Sequence, residues 1–421
     1  MECRWLSARW RGAGETPTVP WGLLILTPIM VATTAGTAFA AAPPPAGIPI
    51  VVRREFPRLK FSNALLMREA PDGSGRMMVL ERFGVIRTFP RKADPAPEEV
   101  AAWLDLSNAI GTNTEEGLLG FDFSPDFAET GHVYTFYSSN ITRPATSRVS
   151  RFREEREGSG LIDRATEEII LEIPDQTSNH LAGHVEFGPD GFLYISTGDG
   201  TKPSIITRNS QDTTTLRGKL LRIDPRGGAP YAIPPGNPLT GDDSARPEIY
   251  ALGLRNPFRF AFDRDDGRLF LADVGWQTRE EVNRVLGGEN FGWPDAEGTI
   301  CNAGPPAFCE AFGYAPPLAD YPHLEGIGAV IGGRIYRGGN APALEGLFLC
   351  SDYVFRRIMV VVPLPDGGAE IRTLVEPLSG IRPTGWGEDA RGEVYIMDYN
   401  LSGGGIYGLR QTALETGWVL K

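Results

Sequence analysis

Histidine is scarce in this chain, four in 421 residues. Two of the four, His180 and His184, fall in one stretch, NHLAGHVEFGPDGFLYISTGDG, which runs from Asn179 to Gly200. An imidazole titrates near neutral pH, so a histidine held at the end of a strand can take a proton from a hydroxyl. Gly198-Asp199-Gly200 leaves the same stretch as a second polar cluster, and Arg255-Asn256-Pro257 makes a polar break between two apolar runs in EIYALGLRNPFRFAFD. Spacing alone does not separate a catalytic histidine from a plain loop histidine. His132 reads as turn surface, His323 as a loop residue, and Glu280 with Glu281 as a solvated pair.

The elements that must position these residues are short strands. Gly188-Pro189-Asp190-Gly191 carries turn chemistry: proline presets φ, aspartate bonds its own backbone, and glycine accepts positive φ. Val185–Phe187 and Phe192–Ser196 flank it and are rich in aromatic and β-branched residues, so the stretch reads as a hairpin. The same turn-plus-strand unit returns after Gly75, Gly131, Gly191, Gly267, Gly346 and Gly392. Long helical patterns do not intervene. A motif of several strands returning about every 40 to 60 residues is the mark of a propeller blade. The expected fold is therefore all-β, a six-bladed β-propeller spanning residues 59–421 and closed by pairing a terminal strand into the last blade. A β-sandwich would leave the sixfold return unexplained.

Composition narrows the partners. The net charge is −12 and the pI near 5.0, with basic residues scattered, which argues against nucleic acid, because phosphate binding needs clustered positive charge. Arg4, Arg9 and Arg11 precede an apolar run from Trp21 to Val31, and Ala38-Phe39-Ala40 offers a small-x-small cleavage site. Residues 1–40 thus read as a secretory signal rather than a membrane anchor, the run being too short for a stable span. Residues 41–58 read as a Pro/Ala-rich leader. The expected location is periplasmic or secreted. In an oxidising compartment Cys301 and Cys309 can close the loop CNAGPPAFC, leaving Cys350 as a small buried residue.

Several segments resemble the glucose/sorbosone dehydrogenase family, the soluble sugar dehydrogenases that use pyrroloquinoline quinone. They are EEGLLGFDFSPDF, NHLAGHVEFGPDGFLYISTGDG, LRGKLLRIDP, GLRNPFRFAFD, ADVGWQTREEVN, NFGWPDAEG, GGRIYRGG and GWGEDARGEVYIMDYN, in chain order over most of residues 59–409. The NH…GH…GPDG, LGLRNP and GEDARGE pieces look closest to the branch shared with the Hedgehog-interacting protein propeller. The resemblance implies that His180 is the general base for the anomeric hydroxyl of a sugar. It implies that Arg255 and Asn256 contact the quinone, with Arg255 also stabilising charge during catalysis, and that Arg382 lies near the cofactor carboxylates. It implies that Gly275 and Trp276 give backbone carbonyls to calcium, a hard ion suited to oxygen ligands, with Asn283 behind their loop. Glu115 and Asn179 match substrate-side positions, where the sugar dehydrogenases carry a glutamine and an acidic residue. At His184 the family accepts varied residues, which points to a structural role. Thr384 stands where a second arginine is expected, and residues 352–355 offer no match for the cofactor lysine.

The leading expectation is an exported aldose dehydrogenase that needs pyrroloquinoline quinone and calcium. It would pass electrons to an external acceptor such as a quinone or cytochrome. A non-catalytic binding propeller of the Hedgehog-interacting type is the second reading, and a calcium-dependent lactonase the third.

Overall fold

The glycine that opens each copy of the recurring unit lies in left-handed backbone. Its φ is 69° at Gly75, 71° at Gly131, 79° at Gly191, 76° at Gly267, 74° at Gly346 and 78° at Gly392. Any other residue would be strained there, so one residue type sets one turn six times. Each turn joins a buried inner strand to the strand that follows it. The inner strands are Ala64–Glu69, Leu118–Phe123, Ala182–Phe187, Arg259–Phe262, Val330–Ile335 and Pro383–Glu388. Their antiparallel partners are Arg76–Glu81, His132–Ser139, Leu193–Thr197, Leu269–Asp273, Phe348–Asp352 and Val394–Asp398. In the central hairpin Val185 faces Ile195 and Phe187 faces Leu193, with a bulge between Ala182 and Val185.

The structure, a computed structural model, describes residues 49–141, 145–155, 161–174, 177–202, 206–324 and 327–412. The expected signal at residues 1–40 lies outside them. Four of the inner strands head four-stranded antiparallel sheets. The other two meet in an eight-stranded sheet, where Ala64–Glu69 and Pro383–Glu388 run parallel with Leu66 opposite Trp386. Each inner strand contacts the next in chain order. Strands such as LLGFDF and VIGGRI are buried at every position because sheets cover both of their faces.

The chain begins its fold earlier than its composition suggests. Ile50–Glu55, inside the stretch read as leader, pairs antiparallel with Ile406–Gln411, with Ile50 opposite Gln411. Ile50 is buried in the same cluster as Leu409, so this strand covers an edge that would otherwise stay unpaired. The solvated pair is also corrected. Glu280 is 0% and Glu281 7% exposed, because both lie in the middle sheet position of Arg279–Val285, with paired strands on either side. Glu280 accepts a 2.6 Å hydrogen bond from His323, which joins that loop histidine to the sheet. Cys301 and Cys309 form a disulfide with 5.9 Å between Cα atoms, and Cys350 is free and buried.

Past the middle of the inner strands, charged side chains meet. Arg68 reaches Asp122 at 3.2 Å and Glu186 at 2.8 Å, and Arg334 reaches Glu186 at 2.6 Å and Glu388 at 2.9 Å. These residues line a cleft of about 500 Å³. His184 donates into the same group, its Nε2 lying 3.1 Å from Glu186, and burial pushes its imidazole down to about 3. Burial, together with the charge of Glu186, pushes the Asp122 carboxyl up to about 6 from 3.8 against the pull of Arg68. Between those two values the folded chain holds a proton that the unfolded chain has released, so this group's contribution to stability falls as pH rises from about 4 to 6. Asp122→Asn should therefore fare better relative to the parent chain at pH 7.5 than at pH 4.5. Urea denaturation at the two pH values measures it, and a pH-independent difference would refute it.

Candidate active site

The polar residues singled out in the sequence precede inner strands. Glu115 comes before Leu118–Phe123, His180 before Ala182–Phe187, Asn256 before Arg259–Phe262 and Arg382 before Pro383–Glu388. All enter from the same end of the sheets. Residues leaving the second strands return to that end, which brings Asp199 and Gly275 alongside them.

His180 is 3% exposed and stands in left-handed backbone at φ 50°, followed by Ala182 at φ 53°. Strain of this kind persists only where the surroundings hold it. The His180 N–H donates to Glu115 Oε2 at 2.8 Å, and the Ala182 N–H donates to Asn256 Oδ1 at 3.0 Å. Behind the loop, a Cβ on Gly198 would sit 1.9 Å from the His180 carbonyl oxygen, so only glycine lets the two strand ends approach. Asn179 is half-buried beside it, with its N–H on Thr177 Oγ1 at 3.1 Å.

Both nitrogens of the His180 ring have partners, and Thr201 Oγ1 also lies 3.4 Å from Nδ1. Nδ1 lies 2.8 Å from Asp199 Oδ1, and Nε2 lies 3.0 Å from Arg255 Nη2. A guanidinium can only donate, so Nε2 is the acceptor and the ring proton belongs on Nδ1, donated to Asp199. Asp199 is fully buried and also accepts from Thr201 Oγ1 at 2.8 Å and from the Trp293 indole at 3.0 Å. Burial alone would raise its carboxyl, but the hydrogen bonds from His180 and Thr201 outweigh that and hold it below the ordinary range.

Arg255 is held as firmly. Its Nη1 donates to the carbonyls of Val274 at 2.9 Å and Gly275 at 2.7 Å, and its guanidinium lies 5.5 Å from the Trp293 ring centroid. The backbone N–H groups of Arg255 and Asn256 both end on Asp273, at 2.7 and 2.6 Å. Burial, and the neighbouring Glu281 charge, push the Asp273 carboxyl well up. Arg255 Nε is buried with no hydrogen-bond partner. An open donor on a fixed guanidinium suits an anionic oxygen of a bound quinone.

The calcium pair fits less simply. The Gly275 carbonyl already takes Arg255, and a divalent cation on the same oxygen would face the guanidinium charge. The N–H groups of Trp276, Gln277, Thr278 and Arg279 wrap Glu297 Oε1 at 2.7, 2.8, 2.9 and 3.2 Å. Glu297 Oε2 is buried with no hydrogen-bond partner. Burial raises this carboxyl less than the surrounding N–H groups lower it, so it stays ionised. The open oxygen for a hard cation is therefore on Glu297. Among the described residues no three His, Cys, Asp or Glu side chains gather as a metal-holding group.

The structure thus brings His180, Arg255, Asn256, Glu115 and the Gly275 loop into contact. Arg382 is exposed and lines a separate cleft with Asn63, Arg356, Asp398 and Tyr399. His184 faces the buried charges and not this site. Sequence reasoning missed Asp199, Trp293 and Glu297 as site residues. The signal for Asp199 was present, since it leaves the strand that pairs with the one His180 enters; Trp293 and Glu297 arrive through a long insertion that no spacing rule connects.

The sequence model of the glucose/sorbosone dehydrogenase family matches residues 61–405. The chain is 29% identical over 386 residues to the HIPL2 protein of Arabidopsis thaliana, covering 76% of this chain and 55% of that one. It is 27% identical over 359 residues to Hedgehog-interacting protein of Mus musculus, covering 79% and 48%. It is 28% identical over 248 residues to an aldose sugar dehydrogenase of Escherichia coli (strain K12), covering 58% and 62%. The chain therefore spans about half the length of the first two relatives. A solved structure from Thermus thermophilus, described as a glucose dehydrogenase, superimposes with a TM-score of 0.65 at 27% identity over 86% of this chain and 99% of that one. The PQQ-bound aldose sugar dehydrogenase of Streptomyces coelicolor gives 0.67 at 23% identity over 88% and 99%, a likeness of fold. With the family pattern matched across nearly the whole set of described sheets, the chain belongs to the glucose/sorbosone dehydrogenase family.

Proposed function

We propose that the chain is an exported, six-bladed aldose dehydrogenase. It oxidises the anomeric hydroxyl of a sugar with pyrroloquinoline quinone and passes electrons to an external acceptor such as a quinone or cytochrome. The blade count rests on the chain-order contacts of the six inner strands, with the last pairing beside the first. Export rests on the pattern of residues 1–40 and on the Cys301–Cys309 disulfide, a bond that persists in oxidising compartments. Among the described residues no helix is long and apolar enough to cross a membrane.

The observation that carries the activity is the pair of contacts on the His180 ring, the Arg255 guanidinium at Nε2 and the buried Asp199 carboxylate at Nδ1, which assigns Nε2 as the acceptor. The quinone, when bound, supplies the hydride-accepting group. His180 Nε2 takes the hydroxyl proton once the sugar displaces the Arg255 N–H from it. Asp199 holds the resulting imidazolium in place, as a buried carboxylate behind a histidine base does. Arg255 Nε and Asn256 would hold the anionic edge of the quinone, whereas Arg382, in its separate cleft, takes no part in holding it. Glu115 commits one oxygen to the His180 backbone, and its other oxygen, with Asn179, would meet the sugar. Calcium would take Glu297 Oε2 and the carbonyl of Trp276.

A binding propeller is the second reading, and two observations favour it. Thr384 is buried and donates to the Ala64 carbonyl at 3.4 Å, so it offers no cation. Asp352, in the segment where the family lysine is expected, is a buried acid that accepts from Tyr321 at 2.9 Å.

The test is sugar-dependent reduction of an artificial electron acceptor by quinone-reconstituted protein. His180→Gln should lower kcat by on the order of a hundredfold or more, with little change in KM. Asp199→Asn should cause a loss of similar order or more, because the amide can donate to Nδ1 and leave the ring proton on Nε2, where the base must accept. No turnover with a panel of aldoses despite measured quinone binding would overturn the dehydrogenase reading in favour of the binding propeller. Calcium should raise Tm by about 2 °C or more in the parent chain and not in Glu297→Gln; an equal shift in both would remove Glu297 from the metal site.

A further inference from the structure

The insertion that brings Trp293 and Glu297 to the site continues into an exposed lobe. Ala296–Glu297 pairs with Ile300–Cys301, a short helix covers Pro306–Ala311, and the disulfide ties the two together. The lobe turns aromatic rings outward. Phe308 is 37% and Phe312 60% exposed. The Phe312 and Tyr314 rings lie almost parallel, 17° apart with centroids 5.7 Å apart, and Phe308 lies 4.7 Å from Phe312.

The base of this ladder packs against the candidate site. A Cβ on Gly292 would lie 2.9 Å from Tyr314 Cγ, so the tyrosine ring rests on the backbone just before Trp293, whose indole bonds Asp199. The Tyr314 hydroxyl donates to Asp295 Oδ2 at 2.6 Å. Arg208 also grips Asp295, with two bonds of 2.9 and 2.7 Å. A fixed guanidinium–carboxylate pair thus edges the tyrosine end of the flat apolar rings.

Three rings fall well short of the roughly 1,000 Å² that a specific protein interface needs. Glu310 on the lobe and a net charge of −12 oppose an anionic lipid surface. A pyranose ring matches both features: its C–H face lies on an aromatic ring, and its equatorial hydroxyls reach groups at the ring edge. We propose that Phe308, Phe312 and Tyr314 form an extended subsite for an oligosaccharide, whose reducing end lies at His180 and whose following rings stack on the ladder. The inference rests on the sugar reading of the site and narrows its substrate class to chains longer than one unit.

Calorimetric titration without added cofactor tests binding apart from turnover. Cellotetraose and maltotetraose are the probes, and glucose is the reference. At least one tetrasaccharide should bind roughly fivefold or more tighter than glucose, on the scale of one or two aromatic contacts. Phe312→Ala should remove that advantage and leave glucose affinity unchanged, and Phe312→Tyr should restore it. Circular dichroism confirms that the variants fold. Tetrasaccharides that bind no tighter than glucose, or equally well to Phe312→Ala, would overturn the subsite. So would self-association of the parent chain that Phe312→Ala abolishes. Oligosaccharide binding that depends on Phe312 in a protein without turnover would uphold the ladder and discard the dehydrogenase.

Discussion

One buried carboxylate ties three inner strands together. Glu186 accepts from Arg68 at 2.8 Å, from Arg334 at 2.6 Å and from His184 at 3.1 Å. Its two arginines come from inner strands 118 and 148 residues away. A buried charge is destabilising unless its partners are close and well oriented, so these side chains constrain where three sheets stand relative to one another. Arg334 and Arg68 carry the constraint onward to Glu388 and Asp122. His184 stays neutral among them because burial outweighs the pull of the carboxylate. The same inner strand that carries Glu186 is entered through His180, so the charged group and the candidate base share one element.

The site at the other end of those strands is built from backbone as much as from side chains. His180 and Ala182 both adopt positive φ, and the loop is held through N–H groups that end on Glu115 and Asn256. Asn256 is itself fixed by Asp273, which also takes the Arg255 N–H. The catalytic candidates therefore share one scaffold of carboxylates, the half-buried Glu115 and the buried Asp273. Moving any one strand end would disturb the base, its orienting acid and the guanidinium together. This is how a loop can present chemistry with the precision of a strand.

The departures from the family pattern fall into two groups. At positions 115 and 179 the acidic and amide side chains stand in exchanged places, and the structure gives the acid a positioning role, because Glu115 accepts the His180 N–H. At Thr384 and Asp352 the chain replaces expected cations with a neutral and an acidic group, both buried and both hydrogen-bonded. Under the proposed function, the first group would leave the chemistry of the base intact, and the second would thin the positive charge around the quinone. Glu297 adds an ionised carboxylate with an open oxygen to the same neighbourhood.

Local sequence by itself determined the hairpins, since a glycine with φ near 70–80° is a property of four or five consecutive residues. It determined the all-β class and the pairing of Cys301 with Cys309, eight residues apart. It also determined that His180 and Asn256 begin inner strands, because each polar break stands directly before an apolar run. What it did not determine is who meets whom. The burial of Glu280 and Glu281 depends on strands paired at both sides of Arg279–Val285, and the place of Ile50–Glu55 depends on a partner at the far end of the chain. The union of His180 with Asp199, Arg255 and Trp293 joins segments 19, 75 and 94 residues apart along the linked contacts. Hydrogen bonds across such distances exist only once the sheets have packed. Tertiary structure therefore decided the partners of the His180 ring, the occupied carbonyl of Gly275 and the open oxygen of Glu297.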